Sequence, residues 1–551
     1  MLKIEKMETI ERAIIYGCGN WGRKCISFME KQGFLIEACC DSNPSMWGQK
    51  FEGYPVISPE ELINNRKTLV IIAMERSEEM VRKLLEADCE ISLFYRIFEE
   101  EEIYRIMDVP EILGCKQKET LRDVLLHQAG IYLVGSEKRR KDFQYLFDWI
   151  PVAREYETME EAVDDENGFI IYCEKHMEAI QRQYEKNGLE IIGAEELFCL
   201  LGEGEETDYH AVIWALKTFY AQQENQMPCM RPFTSASINS NFELHFCCGD
   251  WSMGVGSILG EKSLEELWKS DLARIYRLSI INRTYSFCHR GRCVQLKPNP
   301  EKKEMERLAA GIHTAPVPLQ LEIGIDKTCN LYCKSCRNQV LTEQGERKER
   351  IEKAKEIIVH SEWAEKCNVL LLGGQGEVFA SRPYQEVMLE FTGRRNSLSL
   401  RSNGVLLDES QFQKLKEKYE KLYIIISVDA AKKETYNMLR RSHDKYAWDK
   451  LQKNLQMLSE KRRTNVLNFF QLNMCVQRDN YKEMADFVRM GDELGADKIY
   501  LTPIRNWGTY TEEEFEEIRI FDDEKKIKEE VQEELDKVRA LSVKPVITIA
   551  F

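Results

Sequence analysis

Three cysteines fall within one eight-residue string, Cys329-Asn330-Leu331-Tyr332-Cys333-Lys334-Ser335-Cys336. Three thiolates on so short a loop can ligate three irons of a cubane and leave the fourth iron open. Structural metal sites usually close with four protein ligands, whereas catalytic ones keep a position free. No fourth cysteine follows closely, since the next is Cys367. Taken alone, the string also fits a zinc site completed by a distant residue. A second group, Cys229, Cys247, Cys248, Cys288 and Cys293, sits in a stretch rich in Pro, aromatic and Gly residues. A third feature is the turn Gly17-Cys18-Gly19-Asn20-Trp21-Gly22, whose GxGxxG spacing suits a pyrophosphate. Single cysteines such as Cys89, Cys173, Cys199, Cys367 and Cys475 lie in apolar stretches and read as small buried hydrophobes. The N-terminus lacks a secretory pattern, so the 18 cysteines are expected to be reduced thiols of a cytoplasmic protein.

The elements that must position these groups follow from periodicity. Residues 12–16 predict a buried strand feeding the glycine turn, followed by a helix through residue 29 and a strand over 34–40 that ends at Asp41. Glycines let the backbone approach a pyrophosphate, the helix N-terminus supplies partial positive charge, and an acid about 20 residues on accepts from ribose hydroxyls. Gly17, Gly19, Gly22 and Asp41 are therefore candidate contacts for NAD or a nucleotide sugar, the alternative being a Rossmann-like module with an empty site. A further strand is expected over 69–73. With the runs Asp41-Ser42-Asn43-Pro44 and Gly53-Tyr54-Pro55-Val56-Ile57-Ser58-Pro59, about the first hundred residues resemble the Rossmann-like N-terminal domains attached to sugar-modifying transferases. Residues 130–198 repeat the α/β rhythm, with strands over 131–134, 168–172 and 189–192. That copy keeps one glycine at its first turn, Gly135, and reads as a packing or dimerisation module without a nucleotide.

After a lysine- and proline-containing linker, strands are expected over 320–325, 369–372, 397–401, 423–428, 469–476 and 498–501, with helical patterns between them. Six strands in βα order imply a parallel sheet, open or barrel-like. The three-cysteine string lies directly after the first of them. Beyond residue 510 the chain is acidic and reads as a solvated helical tail.

Over roughly residues 318–510 the sequence resembles the radical S-adenosylmethionine (SAM) superfamily, specifically its SPASM-related branch. The resemblance is carried by Cys329-Asn330-Leu331 with the two later cysteines, Gly373-Gly374-Gln375-Gly376-Glu377, Ser402-Asn403-Gly404, Ile426-Ser427-Val428-Asp429-Ala430, and Glu434-Thr435-Tyr436 leading to Arg440. It implies a partial (β/α)6 barrel and a [4Fe-4S] cluster on Cys329, Cys333 and Cys336. In that family the open iron is chelated by the amino and carboxylate groups of SAM, and one-electron reduction cleaves a C–S bond to give a 5′-deoxyadenosyl radical. By the same resemblance Gly376 and Glu377 would meet the cofactor's ammonium, and Gly374 and Asp429 would be further cofactor contacts. Ser402, Asn403 and Ser427 fall where ribose or carboxylate contacts belong, and Arg440 would pair with the carboxylate, as charge complementarity requires. Two positions depart from the pattern. Val378 stands where proline is frequent, and Ser335 replaces a frequent aromatic that touches adenine. The second cysteine group resembles the SPASM auxiliary-cluster segment, here placed before the barrel. Cys229, one of Cys247 and Cys248, Cys288 and Cys293 would supply its four ligands; a zinc knot is the alternative.

The expected organisation is α/β multidomain, since 551 residues suffice for roughly three to four domains of ~150 residues. The expected parts are a Rossmann-like domain (1–112), a second degenerate α/β domain (113–224), the cysteine-rich module and linker (225–312), the partial barrel (313–510) and the acidic tail (511–551). A net charge of −16 argues against nucleic acid as a partner, and no run of about 18 apolar residues suggests a membrane span. The leading expectation is an enzyme that abstracts hydrogen from an unactivated carbon of a sugar-linked, nucleotide-linked or peptide substrate. Such an enzyme requires an electron donor such as flavodoxin or ferredoxin. A non-catalytic iron–sulfur scaffold or redox sensor is the alternative. A nicotinamide oxidoreductase ranks lower, because no obvious catalytic Tyr-x-x-x-Lys or hydride-site histidine follows the first domain.

Overall fold

The computed structural model describes residues 12–551 except 32, 65–67, 75–79, 81–82, 85–86, 88, 90, 99–101, 109–117, 129, 164–168, 175–179, 181–182, 185–189, 203–207, 222–228, 248–251, 289–292, 294–313, 392–396, 507 and 525. The chain divides into two compact units, and the division does not follow the expected boundaries. The first holds residues up to Met230 together with 251–253 and 269–312; the second holds 231–250, 254–268 and everything after 312.

In the first unit, β1 (Arg12–Tyr16) is flanked in parallel by β2 (Leu35–Cys40) and β5 (Leu69–Ile72). Ala13, Ile14, Ile15 and Tyr16 are almost wholly buried, which is why this strand reads as a continuous apolar run and not an alternating one. Helix α1 (Asn20–Lys31) follows the glycine turn. Two antiparallel hairpins extend the sheet: β3 (Lys50–Phe51) with β4 (Tyr54–Ile57), and β6 (Ile91–Phe98) with β7 (Glu102–Asp108), giving the order β3-β4-β2-β1-β5-β6-β7. The sequence reading does not contain these hairpins. The second α/β copy is a parallel sheet with the order β11-β10-β8-β9. Its strands are β8 (Ile131–Val134), β9 (Val152–Tyr156), β10 (Phe169–Tyr172) and β11 (Glu190–Gly193). Of these β9 is unexpected, its sequence being largely polar. Helix α2 (Glu137–Leu146) follows β8.

Two further capped helices of this unit are α3 (Tyr209–Phe219) and α4 (Asp271–Ile281). Asp208 accepts from the Ala211 amide and Ser270 from the Ala273 amide, each satisfying an otherwise orphaned helix-start donor. Trp214 on α3 stacks on Phe287 at 4.0 Å, and Tyr276 on α4 lies 5.6 Å from the same ring. This aromatic stack carries the backbone directly into Cys288.

The second unit is built on one ten-stranded sheet. The expected six strands are consecutive and parallel: β15 (Gln320–Ile323), β16 (Val369–Leu372), β17 (Ser397–Ser402), β18 (Lys421–Ser427), β19 (Phe469–Val476) and β20 (Lys498–Pro503). Leu422, Ile424 and Ile426 of β18 are fully buried while Tyr423, Ile425 and Ser427 are only partly so, which marks one face packed under helices and one more open. Sequence reasoning missed strands at both ends. β12 (Ser235–Ile238) pairs in parallel with β15, and β13 (Glu243–His245) and β14 (Gly256–Ser257) add antiparallel to it. Part of the expected cysteine-rich module is therefore sheet of this unit. At the other end β21 (Val546–Ile549) pairs in parallel with β20, so residues 511–551 are not only a solvated helical tail.

Candidate metal and cofactor site

The three-cysteine loop leaves β15 and is held at both ends by backbone bonds. Cys329 bridges to Leu341, and the Tyr332 and Lys334 amides donate to the Arg441 and Leu439 carbonyls at the end of helix α5 (Lys433–Arg440). The loop is thus paired along its length to the element after β18. Opposite it stands the glycine-rich turn after β16. The Glu377 amide donates to the Thr328 carbonyl at 2.8 Å, and a Cβ on Gly376 would sit 2.5 Å from the Asp326 carbonyl oxygen. Only glycine allows that approach.

Each thiol meets a donor. Cys329 Sγ accepts from the Leu331 amide at 3.5 Å, with Asn403 Nδ2 at 4.0 Å. Cys333 Sγ accepts from Arg440 Nη1 at 3.4 Å, and Cys336 Sγ from Arg337 Nη2 at 3.5 Å. Burial pushes the Cys329 thiol up to about 11. Burial also raises Cys333, with the Arg440 guanidinium opposing it. Donors aimed at sulfur stabilise thiolate, the form that binds metal. Among the described residues no three Cys, His, Asp or Glu side chains form the close shell of a single ion. A cubane makes no such demand, since each thiolate takes its own iron. An all-sulfur donor set with a donor at every sulfur fits a cluster.

Glu377 is 1% exposed and turned inward. Its carboxylate accepts from Ser402 Oγ at 2.8 Å, the Asn403 amide at 2.7 Å and the Phe379 amide at 3.3 Å. Burial raises its pKa, and the Asn403, Ser402 and Phe379 bonds oppose the rise. The side chain expected to meet a cofactor ammonium ties the turn after β16 to the turn after β17. Ser402 and Asn403, both buried, complete this junction, and Asn403 Nδ2 donates to Asn330 Oδ1 at 2.8 Å. Gly374 lies on the same turn in the left-handed region, at φ 115°. Ser427 ends β18, in register with Asn473.

Asp429 follows, also left-handed at φ 66°, and its carboxylate joins three elements. It pairs with Arg440 Nε at 3.0 Å and accepts the Cys475 amide at 2.8 Å, while its carbonyl takes Asn480 Nδ2 at 2.8 Å. Burial pulls the Arg440 pKa down, but Asp429 and Cys333 outweigh it and hold the guanidinium charged. Arg440 thus serves Asp429 and Cys333 within the chain. Arg337, which the sequence reading does not single out, bridges the Lys327 carbonyl at 2.5 Å and the Gln375 carbonyl at 2.9 Å. Its only sequence signal is adjacency to the last cysteine.

The other groups are placed less completely. Cys229, Cys288 and Cys293 belong to the first unit, where burial and then the neighbouring Cys229 and Cys288 thiols raise the Tyr285 phenol, Cys293 adding to them. Tyr276 OH lies 3.5 Å from Cys288 Sγ. Cys247 belongs to the second unit and accepts from Arg231 Nη1 at 3.5 Å; Cys248 lies outside the described residues. At the first glycine turn, Gly17 is left-handed and a Cβ on Gly22 would collide with the Gly17 carbonyl. A Cβ on Gly19 would meet only open space. The Asp41 carboxylate takes the Cys18 amide at 2.7 Å and the Asn43 amide at 2.8 Å, so both oxygens already serve the chain.

Residues 325–491 match the Radical SAM superfamily, 229–294 the SPASM iron-sulfur cluster-binding domain, and 9–97 the C2185-like N-terminal family. The chain carries a radical SAM domain. Its SPASM segment places it in the SPASM-related branch and precedes the radical SAM domain. The first domain implies a [4Fe-4S] cluster and SAM, and the second implies auxiliary iron–sulfur clusters. No curated protein matches the enzyme. Among solved structures it is similar to TYW1 with a lysine-pyruvate adduct bound, at 18% identity and TM-score 0.24, covering 34% of this chain and 64% of that one. It is also similar to Streptococcus suis SuiB bound to the precursor peptide SuiA, at 16% identity and TM-score 0.29, covering 46% and 54%. A third is anSMEcpe with bound AdoMet, at 20% identity and TM-score 0.25, covering 33% and 50%. The enzyme therefore spans less than two thirds of each of these three chains. Among the described residues no helix is long and apolar enough to cross a membrane.

Proposed function

We propose that Cys329, Cys333 and Cys336 hold the [4Fe-4S] cluster and that the enzyme abstracts hydrogen from an unactivated carbon of a sugar-linked, nucleotide-linked or peptide substrate. The observation that carries this reading is the donor at each of the three thiols on one loop, Leu331 N, Arg440 and Arg337. Once bound, the cluster and SAM supply a carbon-centred radical. The chain's own residues fix the geometry around them. Gly376 brings backbone close to the segment leading into the cysteine loop, Gly374 supplies the left-handed turn beside it, and Glu377 with Ser402 and Asn403 locks the two turns after β16 and β17. Ser427 lies at the strand end from which Asp429 and Arg440 are positioned. Cys229, Cys288 and Cys293, with Cys247 or Cys248, supply auxiliary-cluster ligands on this reading.

A sugar- or nucleotide-linked substrate is favoured by the open space above Gly19 in a turn that already has its strand, helix and Asp41. An external one-electron donor such as flavodoxin or ferredoxin completes the scheme. The test is anaerobic, reduced enzyme incubated with SAM and candidate nucleotide sugars or peptides. 5′-Deoxyadenosine and methionine are expected, and their formation should stop in Cys333→Ala. Absence of both products from cluster-loaded wild type refutes the assignment.

A further inference from the structure

Arg337 stands at the most exposed of the three thiols, Cys336, and is held there by more than the sulfur. Its guanidinium donates to the Lys327 carbonyl at 2.5 Å and to the Gln375 carbonyl at 2.9 Å while reaching Cys336 Sγ at 3.5 Å. One carbonyl lies on the loop leaving β15 and the other in the glycine turn after the adjacent β16, so Arg337 ties the two segments together. The planar fork is therefore fixed and not free to swing into solvent. Arg440 makes the matching contact to Cys333, but its charge is already met by Asp429 at 3.0 Å. Among the described residues no carboxylate pairs with Arg337, so its charge is met by the loop thiols, Cys336 first and then Cys329 and Cys333.

We propose that Arg337 is a positioning residue that sets the reduction potential of the cluster, holding it high enough for the electron donor to reduce. This rests on the reading that Cys329, Cys333 and Cys336 carry that cluster. Cluster potentials follow net charge, hydrogen bonds to sulfur and solvent exposure. Arg337 acts on the first two at Cys336. A fixed cation and an N–H···S bond both favour the more negative, reduced cluster.

The test is a potentiometric titration of reconstituted wild type, Arg337→Gln and Arg337→Lys. It follows by electron paramagnetic resonance the signal that changes when SAM is added, which separates this cluster from an auxiliary one. Arg337→Gln should move the oxidised-to-reduced ratio at fixed potential about tenfold toward oxidised, ~59 mV for a one-electron couple. Arg337→Lys keeps the charge and should stay within about threefold of wild type. An unchanged Arg337→Gln, or a lysine variant shifted as far as the glutamine one, overturns the proposal while leaving the cluster assignment intact. Wild type that binds no cluster through the three cysteines overturns both. Should Arg337→Gln fail to hold a cluster, nitrogen hyperfine coupling from 15N-arginine decides. A coupling weakened in Arg337→Lys supports the proposal, and identical spectra overturn it.

Discussion

A carboxylate with water excluded is stable only to the extent that its neighbours replace the water. Glu377 has three such neighbours, two backbone amides and Ser402 Oγ, yet burial still raises its pKa. The folded state therefore holds the Glu377 proton more tightly than the unfolded chain does. Its stabilising contribution is whole below the unfolded value of about 4.3 and is lost as pH rises through the raised folded value. Glu377→Gln removes that dependence. Glutamine also turns an amide donor toward one of the three donors, at a cost of about 1–3 kcal/mol. Urea unfolding should find the variant less stable than wild type at pH 5, with the gap narrowing toward pH 8. A gap that widens contradicts the upward shift. The Asp429–Arg440 pair gives a larger effect, since both side chains are nearly buried, 13% and 11% exposed. Asp429→Ala leaves the guanidinium uncompensated and should cost about 3–5 kcal/mol in the same assay. Asp429→Asn should cost less, because asparagine tolerates φ 66° and still accepts from the Cys475 amide.

At the scale of elements, the C-terminal region is where charge misleads. Its helix α7 (Glu529–Arg539) is mostly acidic and basic, but Val531, Leu535 and Val538 are buried at helical spacing. They pack toward helix α6 (Met484–Glu493), and β21 then closes on β20. Leu535→Ala should therefore cost about 2–5 kcal/mol on urea unfolding, as for a core leucine. A change below about 0.5 kcal/mol would mean a solvated helix after all. The six strands β15 to β20 were legible because each pairs an apolar run with a following helical period. β21 and β12 were not. β21 is four residues long behind a charged helix, and β12, Ser-Ala-Ser-Ile, has almost no apolar signal. The cysteine loop was legible because its spacing is local. Arg337 was not, because its partners are backbone carbonyls 10 and 38 positions away, and carbonyls leave no trace in a sequence. The internal bonds of Glu377 to Ser402 and Asn403, and of Arg440 to Asp429, were not legible either, because they join separate segments of the chain.

Across the whole molecule the two cysteine groups make separable predictions. Cys329, Cys333 and Cys336 lie on one loop of the second unit, while Cys229, Cys288 and Cys293 belong to the first. A triple alanine variant of the loop should lose SAM cleavage but keep about four irons with labile sulfide. Zinc without sulfide in that variant excludes an auxiliary iron–sulfur cluster. The reciprocal variant, Cys229→Ala, Cys288→Ala and Cys293→Ala, should lose the other irons and still cleave SAM, because the loop thiols draw their donors from Leu331, Arg440 and Arg337. It should also unfold at lower temperature. The Trp214–Phe287–Tyr276 stack runs straight into Cys288, and a metal held there fixes the end of that stack. Binding free energy of a metal that only the folded state accepts is folding free energy. Calorimetry on the loaded and chelator-treated wild type should therefore show a fall of the same sign as in the reciprocal triple variant, and the loop variant should keep most of its midpoint.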